Sequence, residues 1–312
     1  MKRELARATA VEGAVDFCVY AMVFGGAFAG CCNSRMVSGG ENFEGRMNLE
    51  SITETRSDPD WLLLEDGPLI AVNKPAGILT EGIPVGEQTM VGLVKNWLAE
   101  KYKKPGNVYL GIPHRLDRAT SGTMVFTRNS KTAARVAEQF EKREVTKTYW
   151  AILENRPEQD SGLLVDWLLK VPDQAVSEIV VPETARAKEA RLEYKLLREV
   201  DRGWLVEMKL LTGRMHQIRV QFASRDCPVV GDTKYGAEEW LGEVTSSRKS
   251  EREVDQTTSG TKLNPDRQQT GSSAADIRIA LHARSLSLLH PIRYDRLTLE
   301  TPVPEYWNLS SG

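Results

Sequence analysis

The twelve residues Gly111-Ile112-Pro113-His114-Arg115-Leu116-Asp117-Arg118-Ala119-Thr120-Ser121-Gly122 hold the densest set of reactive side chains in the sequence. They lie between two apolar runs, where a loop is expected, and loops carried on a rigid scaffold are where functional residues concentrate. Asp117 stands between Arg115 and Arg118. Cations at that spacing are expected to favour the charged carboxylate and lower its pKa. A carboxylate kept ionised can serve as a nucleophile or an electrostatic stabiliser, but is a poor general acid at neutral pH. The same composition also describes a salt-bridged surface loop with Thr120-Ser121-Gly122 as its turn. Taken alone, the segment leaves both readings open.

Two further segments carry chemistry. In Thr212-Gly213-Arg214-Met215-His216-Gln217-Ile218-Arg219, a helix expected over 214–224 places Arg219 beside a stripe of Met215, Ile218 and Phe222. A semi-buried Arg there needs an anionic partner, and a helix start after Gly213 offers free N–H groups to a phosphate. An ordinary amphipathic helix with a solvated basic face fits equally well. In Lys147-Thr148-Tyr149 an aromatic ring stands near a cation, a pairing that suits stacking on a base beside a phosphate; a half-buried strand tyrosine fits it too.

These segments need elements to position them. Residues 61–64 and 69–72 are expected as strands broken at Asp66-Gly67-Pro68, with a turn at 73–77. Residues 91–102 have helical spacing and 123–127 form a short strand. Ser130 is expected to cap a helix to about Arg143, with Ala133, Val136, Ala137 and Phe140 facing inward. A strand over 145–153 puts Lys147 and Tyr149 on one face. Strands at 193–199 and 204–211 pair around Asp201-Arg202-Gly203, and a last strand covers 297–299. Strands and helices do not alternate regularly, which argues for an α+β fold with a mixed, mostly antiparallel sheet flanked by helices and loops.

With 312 residues, 41% hydrophobic, the chain is long enough to bury a sizeable core and is neither disordered throughout nor fibrous. Its formal net charge of −2 conceals an asymmetry. Residues 101–150 hold eleven Lys/Arg against four acids, a local +7, whereas residues 1–100 hold eight against fourteen, or −6. The basic block contains Arg115, Asp117, Lys147 and Tyr149, where a nucleic-acid backbone is expected to lie. No Walker sequence, dinucleotide fingerprint, Gly-x-Ser-x-Gly elbow or kinase motif set is present.

The N-terminal part is unusual. Lys2, Arg3 and Arg7 precede an apolar run from Phe17 to Cys32, and Phe28-Ala29-Gly30-Cys31 looks like a lipoprotein cleavage site. Glu12 and Asp16 oppose that reading, and the run is shorter than the ~20 residues of a membrane span. Residues 1–58 are therefore expected to be a disordered extension or a start assigned too early, with Met36 and Met47 as alternatives, and no membrane partner is expected. Residues 59–310 are expected to form the catalytic domain, interrupted by a disordered insertion at 243–276 that is rich in Ser, Thr, Gln, Arg and Asp. The cysteines (Cys18, Cys31, Cys32, Cys227) form no disulfide framework, which points to a reducing, cytoplasmic location. The histidines (His114, His216, His282, His290) lack metal-ligand spacing, so no metal is expected.

In combination these segments resemble the RluA family of pseudouridine synthases. The resemblance is carried by Val72-Asn73-Lys74-Pro75-Ala76-Gly77, His114-Arg115-Leu116-Asp117 with Thr120-Ser121-Gly122, Lys147-Thr148-Tyr149, Gly213-Arg214-Met215-His216-Gln217-Ile218-Arg219, Gly231-Asp232-Thr233-Lys234-Tyr235-Gly236, and Leu281-His282-Ala283 with His290-Pro291. It implies the pseudouridine synthase fold and the isomerisation of uridine in ribosomal or transfer RNA, without cofactor or metal. It also implies roles. Asp117 is the essential carboxylate, Tyr149 stacks on the target uracil, and Arg219 holds Asp117. Arg115 fills the gap left by a flipped nucleotide, and Leu281 lines the pocket floor. His114, Lys147, Arg214 and Gln217 belong to the substrate-binding set. Residues 1–60 show no version of the S4-type RNA-binding domain that many relatives carry. The competing reading is a catalytically silent RNA-binding or ribosome-assembly module on the same fold. Oligomeric state is not legible in the sequence.

Overall fold

The computed structural model describes residues 58–82, 87–172, 174–238 and 278–309. The expected insertion at 243–276, and the expected extension at 1–58 apart from its last residue, lie outside the described residues. Ten strands form one sheet. They are β1 (Leu62–Asp66), β2 (Leu69–Lys74), β3 (Ser121–Thr127), β4 (Thr146–Leu153), β5 (Ser161–Lys170), β6 (Ser177–Val180), β7 (Lys188–Val200), β8 (Gly203–Leu210), β9 (Leu281–Leu289) and β10 (Arg296–Glu300). The order across the sheet is β1-β2-β3-β9-β4-β8-β7-β5-β6, with β10 paired to β9. The β3–β9 contact is parallel and the other strand pairs are antiparallel. The mixed, mostly antiparallel α+β architecture is as expected.

The strand that joins the two halves is β9, which pairs with β3 at Ser121–His282 and with β4 from Ala151–Leu281 to Thr146–Ser287. Gly122 makes that approach feasible. Its φ is +117°, and a Cβ there would lie 2.4 Å from the Ala283 carbonyl oxygen. Three helices flank the sheet: α1 (Met90–Lys101), α2 (Ser130–Glu141) and α3 (Gln217–Ala223). Among the described residues no helix is long and apolar enough to cross a membrane.

The structure corrects four expectations. Helix α2 is capped by Asn129, whose side chain accepts from the Thr132 N–H at 2.9 Å, rather than by Ser130. Its buried stripe is Thr132, Val136 and Gln139, and Ala137 is exposed. The Gln139 amide explains the rotated phase, since it donates to the Leu289 carbonyl and accepts from the Leu289 N–H. Strands β5 and β6, which the pattern did not single out, extend the sheet beyond β7. Helix α3 begins at Gln217 and not at Arg214, because His216 takes left-handed backbone angles (φ 54°, ψ 24°) that break the helical run.

Candidate active site

The Asp117 loop is clamped from below by the 74–80 turn. Thr80 Oγ1 donates to the Leu116 carbonyl at 2.9 Å and accepts from the Leu116 N–H at 3.2 Å. The Arg118 carbonyl accepts from the Gly77 N–H at 2.8 Å and from Lys74 Nζ at 3.2 Å. Both residues flanking Asp117 are thus tied down, which fixes the direction in which its carboxylate leaves the backbone. The two arginines beside it in sequence point elsewhere. Arg115 is exposed and pairs with Glu81 at 3.0 Å, while Arg118 pairs with Glu87 at 3.3 Å and donates from Nε to the Gly77 carbonyl.

The cations that do face Asp117 come from far away in sequence. Arg219 Nη1 lies 3.7 Å from Asp117 Oδ2. Arg219 is itself buried and makes a two-pronged pair with Asp232, at 2.6 Å from Nε to Oδ2 and 2.7 Å from Nη2 to Oδ1. Lys74 has no exposed surface, and its Nζ donates to the carbonyls of Pro75, Ile78 and Arg118. Burial pushes its pKa down to about 7, against the pull of Asp117. Burial likewise pushes the Asp117 carboxyl up, opposed by Arg219 and Lys74 and reinforced by the Asp232 charge. The expected depression of the Asp117 pKa by Arg115 and Arg118 is therefore corrected in both direction and cause.

Asp117 opens onto a cleft of about 1010 Å³. Its walls are the 114–120 loop, the end of α2, the start of β4, the edges of β7 and β8, residues 211–219, and Leu281 on β9. Lys147 and Tyr149 both line it, as their shared strand face requires. Burial and the Asp117 charge raise the Tyr149 pKa and keep the phenol protonated. Burial, with Arg143 and Arg214 nearby, pushes Lys147 down to about 8. Leu281 is 3% exposed. Arg214 reaches the cleft wall while donating from Nε to the Glu189 carbonyl at 2.9 Å.

Two residues of the expected substrate-binding set are engaged internally. His114 Nε2 accepts from the Val125 N–H at 3.0 Å and its ring stacks on Phe140 at 4.7 Å. The Gln217 amide accepts from Thr212 Oγ1 and the Arg214 N–H and donates to the Arg191 carbonyl. That amide also takes the N–H that the sequence offered to a phosphate.

A family model described as RNA pseudouridylate synthase matches residues 68–224, half of the chain. The chain belongs to this family. The match holds both the Asp117 loop and Arg219, and leaves β9, β10 and Asp232 beyond its end. Among curated relatives, ribosomal large subunit pseudouridine synthase C of Rickettsia felis is 34% identical over 181 residues, which are 58% of this chain and 57% of that protein. This chain thus spans little more than half the length of that relative. The tRNA pseudouridine synthase C of Vibrio parahaemolyticus is 27% identical over 257 residues, covering 79% of this chain and 91% of the relative. Of solved structures, human RNA Pseudouridylate Synthase Domain Containing 4 superposes with a TM-score of 0.57 at 25% identity, over 79% of this chain and 90% of that one. Human RNA Pseudouridylate Synthase Domain Containing 1 shares the fold, with a TM-score of 0.53 at 22% identity over 77% of this chain and 82% of that one.

Sequence reasoning gave no role to four residues that the family member brings around Asp117: Lys74, Asp232, His216 and Tyr235. A signal existed for the first. A lysine ending the apolar run Leu69-Ile70-Ala71-Val72 is hard to place in a buried strand without a partner. Asp232 had a weaker one, since a semi-buried Arg219 demanded an anion and only Asp117 was nominated. Among the described residues no group of three or more His, Cys, Asp or Glu is arranged to hold a metal ion.

Proposed function

We propose that this protein is an RNA pseudouridine synthase acting on uridines of ribosomal or transfer RNA in the cytoplasm. The observation that carries the reading is the Asp117 carboxylate, backed by buried Arg219 and Lys74 at the wall of a cleft lined by Tyr149. The isomerisation breaks the bond from C1′ to N1, forms one from C1′ to C5, releases the C5 proton and places a proton on N1. Nothing is added overall, so the work for the protein is extraction, orientation and charge stabilisation. Asp117 is the reacting carboxylate, and Arg219 holds it in place while remaining locked to Asp232. Tyr149 stacks on the uracil over the floor made by Leu281. Removing a base from its stack costs a few kcal/mol and is cheapest in loops, and exposed Arg115 is suited to fill the vacated space. Lys147 and Arg214 take the neighbouring phosphates. His114 and Gln217 line the cleft and, through their internal hydrogen bonds, hold the shape of the substrate-binding wall.

The test is pseudouridine mapping by carbodiimide labelling and primer extension, on RNA from cells with and without the gene. A signal that disappears with the gene and returns with wild type, but not with Asp117→Ala, is the expected result. An Asp117→Ala protein that restores it overturns the proposal. Salt-dependent RNA binding with no turnover by the wild type would instead favour the silent module.

A further inference from the structure

His216 occupies an odd position. It is the residue preceding α3, where a side chain ordinarily caps the helix, yet it makes no capping bond and holds left-handed backbone angles. Left-handed φ is uncommon outside glycine, and such strain persists only where surroundings enforce it. Here a single residue of the edge strand β6 supplies the enforcement. Ser177 Oγ donates to the Met215 carbonyl at 2.8 Å, holding the backbone just before His216. The Ser177 N–H donates to the Tyr235 hydroxyl at 2.9 Å, and that hydroxyl lies 2.8 Å from His216 Nδ1. On the other side of the turn, Gln217 Oε1 takes the Arg214 N–H.

The direction of these bonds favours one imidazole tautomer. The Tyr235 oxygen accepts from Ser177, so its one proton is free to go to His216 Nδ1. A neutral imidazole with Nδ1 accepting carries its proton on Nε2. His216 Nε2 lies 3.7 Å from Asp117 Oδ2, the same oxygen that Arg219 approaches. Catalytic hydrogen bonds are often long before substrate binds and tighten in the complex.

We propose that His216 is a further positioning residue for Asp117: a neutral imidazole, fixed in backbone and tautomer by Ser177 and Tyr235, that aims an Nε2–H at the carboxylate. The proposal rests on reading Asp117 as the reacting group. Arg219 and Lys74 supply charge, and His216 adds direction without adding a further cation that would over-stabilise the carboxylate. The neighbours suit a neutral ring. Burial, with Arg219 from α3 and Lys234 from the 232–236 turn nearby, pushes its pKa down to about 3, although Asp117 Oδ2 lies 3.7 Å from its Nε2. The remaining charged groups near by, Asp232 and Lys74, are committed to Arg219 and to backbone carbonyls.

The experiment pairs two readouts on the full chain. Long-range proton–nitrogen spectra of histidine-labelled protein, with the His216 signal assigned by its loss in His216→Gln, should show a protonated Nε2 and a bare Nδ1 down to about pH 5. Tyr235→Phe should release Nδ1 and mix the tautomers. In single-turnover assays on the mapped RNA, His216→Ala should lower the rate about 100-fold, with the RNA Kd unchanged. His216→Gln, which keeps an amide N–H near the Nε2 position, should recover most of it. An imidazolium or an Nδ1–H form in the wild type overturns the proposal. So does a wild-type rate in His216→Ala, a glutamine variant no faster than alanine, or a loss confined to Kd. If wild type makes no pseudouridine, the functional reading fails, while the spectra still decide the tautomer.

Discussion

Lys74 shows how a single residue couples stability to the site. Its ammonium donates to three carbonyls inside the protein and has no contact with solvent. Its pKa is about 7 in the folded chain and 10.5 in the unfolded one. Between those values the unfolded state binds more protons, so stability rises with pH across that window and is lost as pH falls back toward 7. Urea melts at pH 7 and pH 9.5 should show wild type gaining on Lys74→Met, by up to about 1.4 kcal/mol per pH unit; equal changes in both proteins would refute this. At this scale Asp117, Arg219 and Tyr149 were legible as candidates from residue type and spacing, and the family resemblance singled them out. The partners were not legible. Arg115 and Arg118 flank Asp117 closely in sequence but pair away from it, whereas Lys74, His216 and Asp232 converge from segments over forty, ninety and a hundred residues away.

The working unit at the next scale is a pair of loops rather than a helix or strand. The 74–80 turn grips the Asp117 loop through Thr80 and Gly77, and Thr80 alone satisfies both backbone groups of buried Leu116. Thr80→Val keeps the shape but leaves that N–H and carbonyl without partners, at a cost of about 1–3 kcal/mol. It should also slow turnover more than it weakens RNA binding, measured as kcat against KM. A variant with wild-type kcat would show that the clamp is dispensable. Most elements were visible as runs of apolar residues, including β1 to β4, α1 and the β7–β8 pair. Strand β5 escaped because Leu163 and Val165 are exposed while Leu164 and Leu168 are buried, so apolar residues lie on both faces and the two-residue alternation is blurred. Helix α3 was read as starting three residues too early because nothing in Arg214-Met215-His216 signals a left-handed residue.

Across the whole molecule, the basic block seen in sequence contributes Arg115, Arg143 and Lys147 to the lining of the cleft, and β7, β8 and the turn before α3 add Arg191, Lys209 and Arg214. RNA lying in this cleft should bind with strong salt dependence. Replacing exposed Lys209 by Ala should reduce the slope of log Kd against log salt by about 0.7, the loss of one single-strand phosphate contact; an unchanged slope would place the RNA elsewhere. The central place of β9 has a consequence for how the protein comes into being. Every other strand except β10 is translated before it, yet β9 joins the two halves of the sheet and brings Leu281 to the cleft. A nascent chain that has emerged only through α3 has Asp117 and Arg219 but no strand to hold β3 against β4, so the pocket is assembled only once β9 has emerged. The cleft around Asp117 is therefore a late-forming feature of the chain, complete only when β9 has docked between β3 and β4.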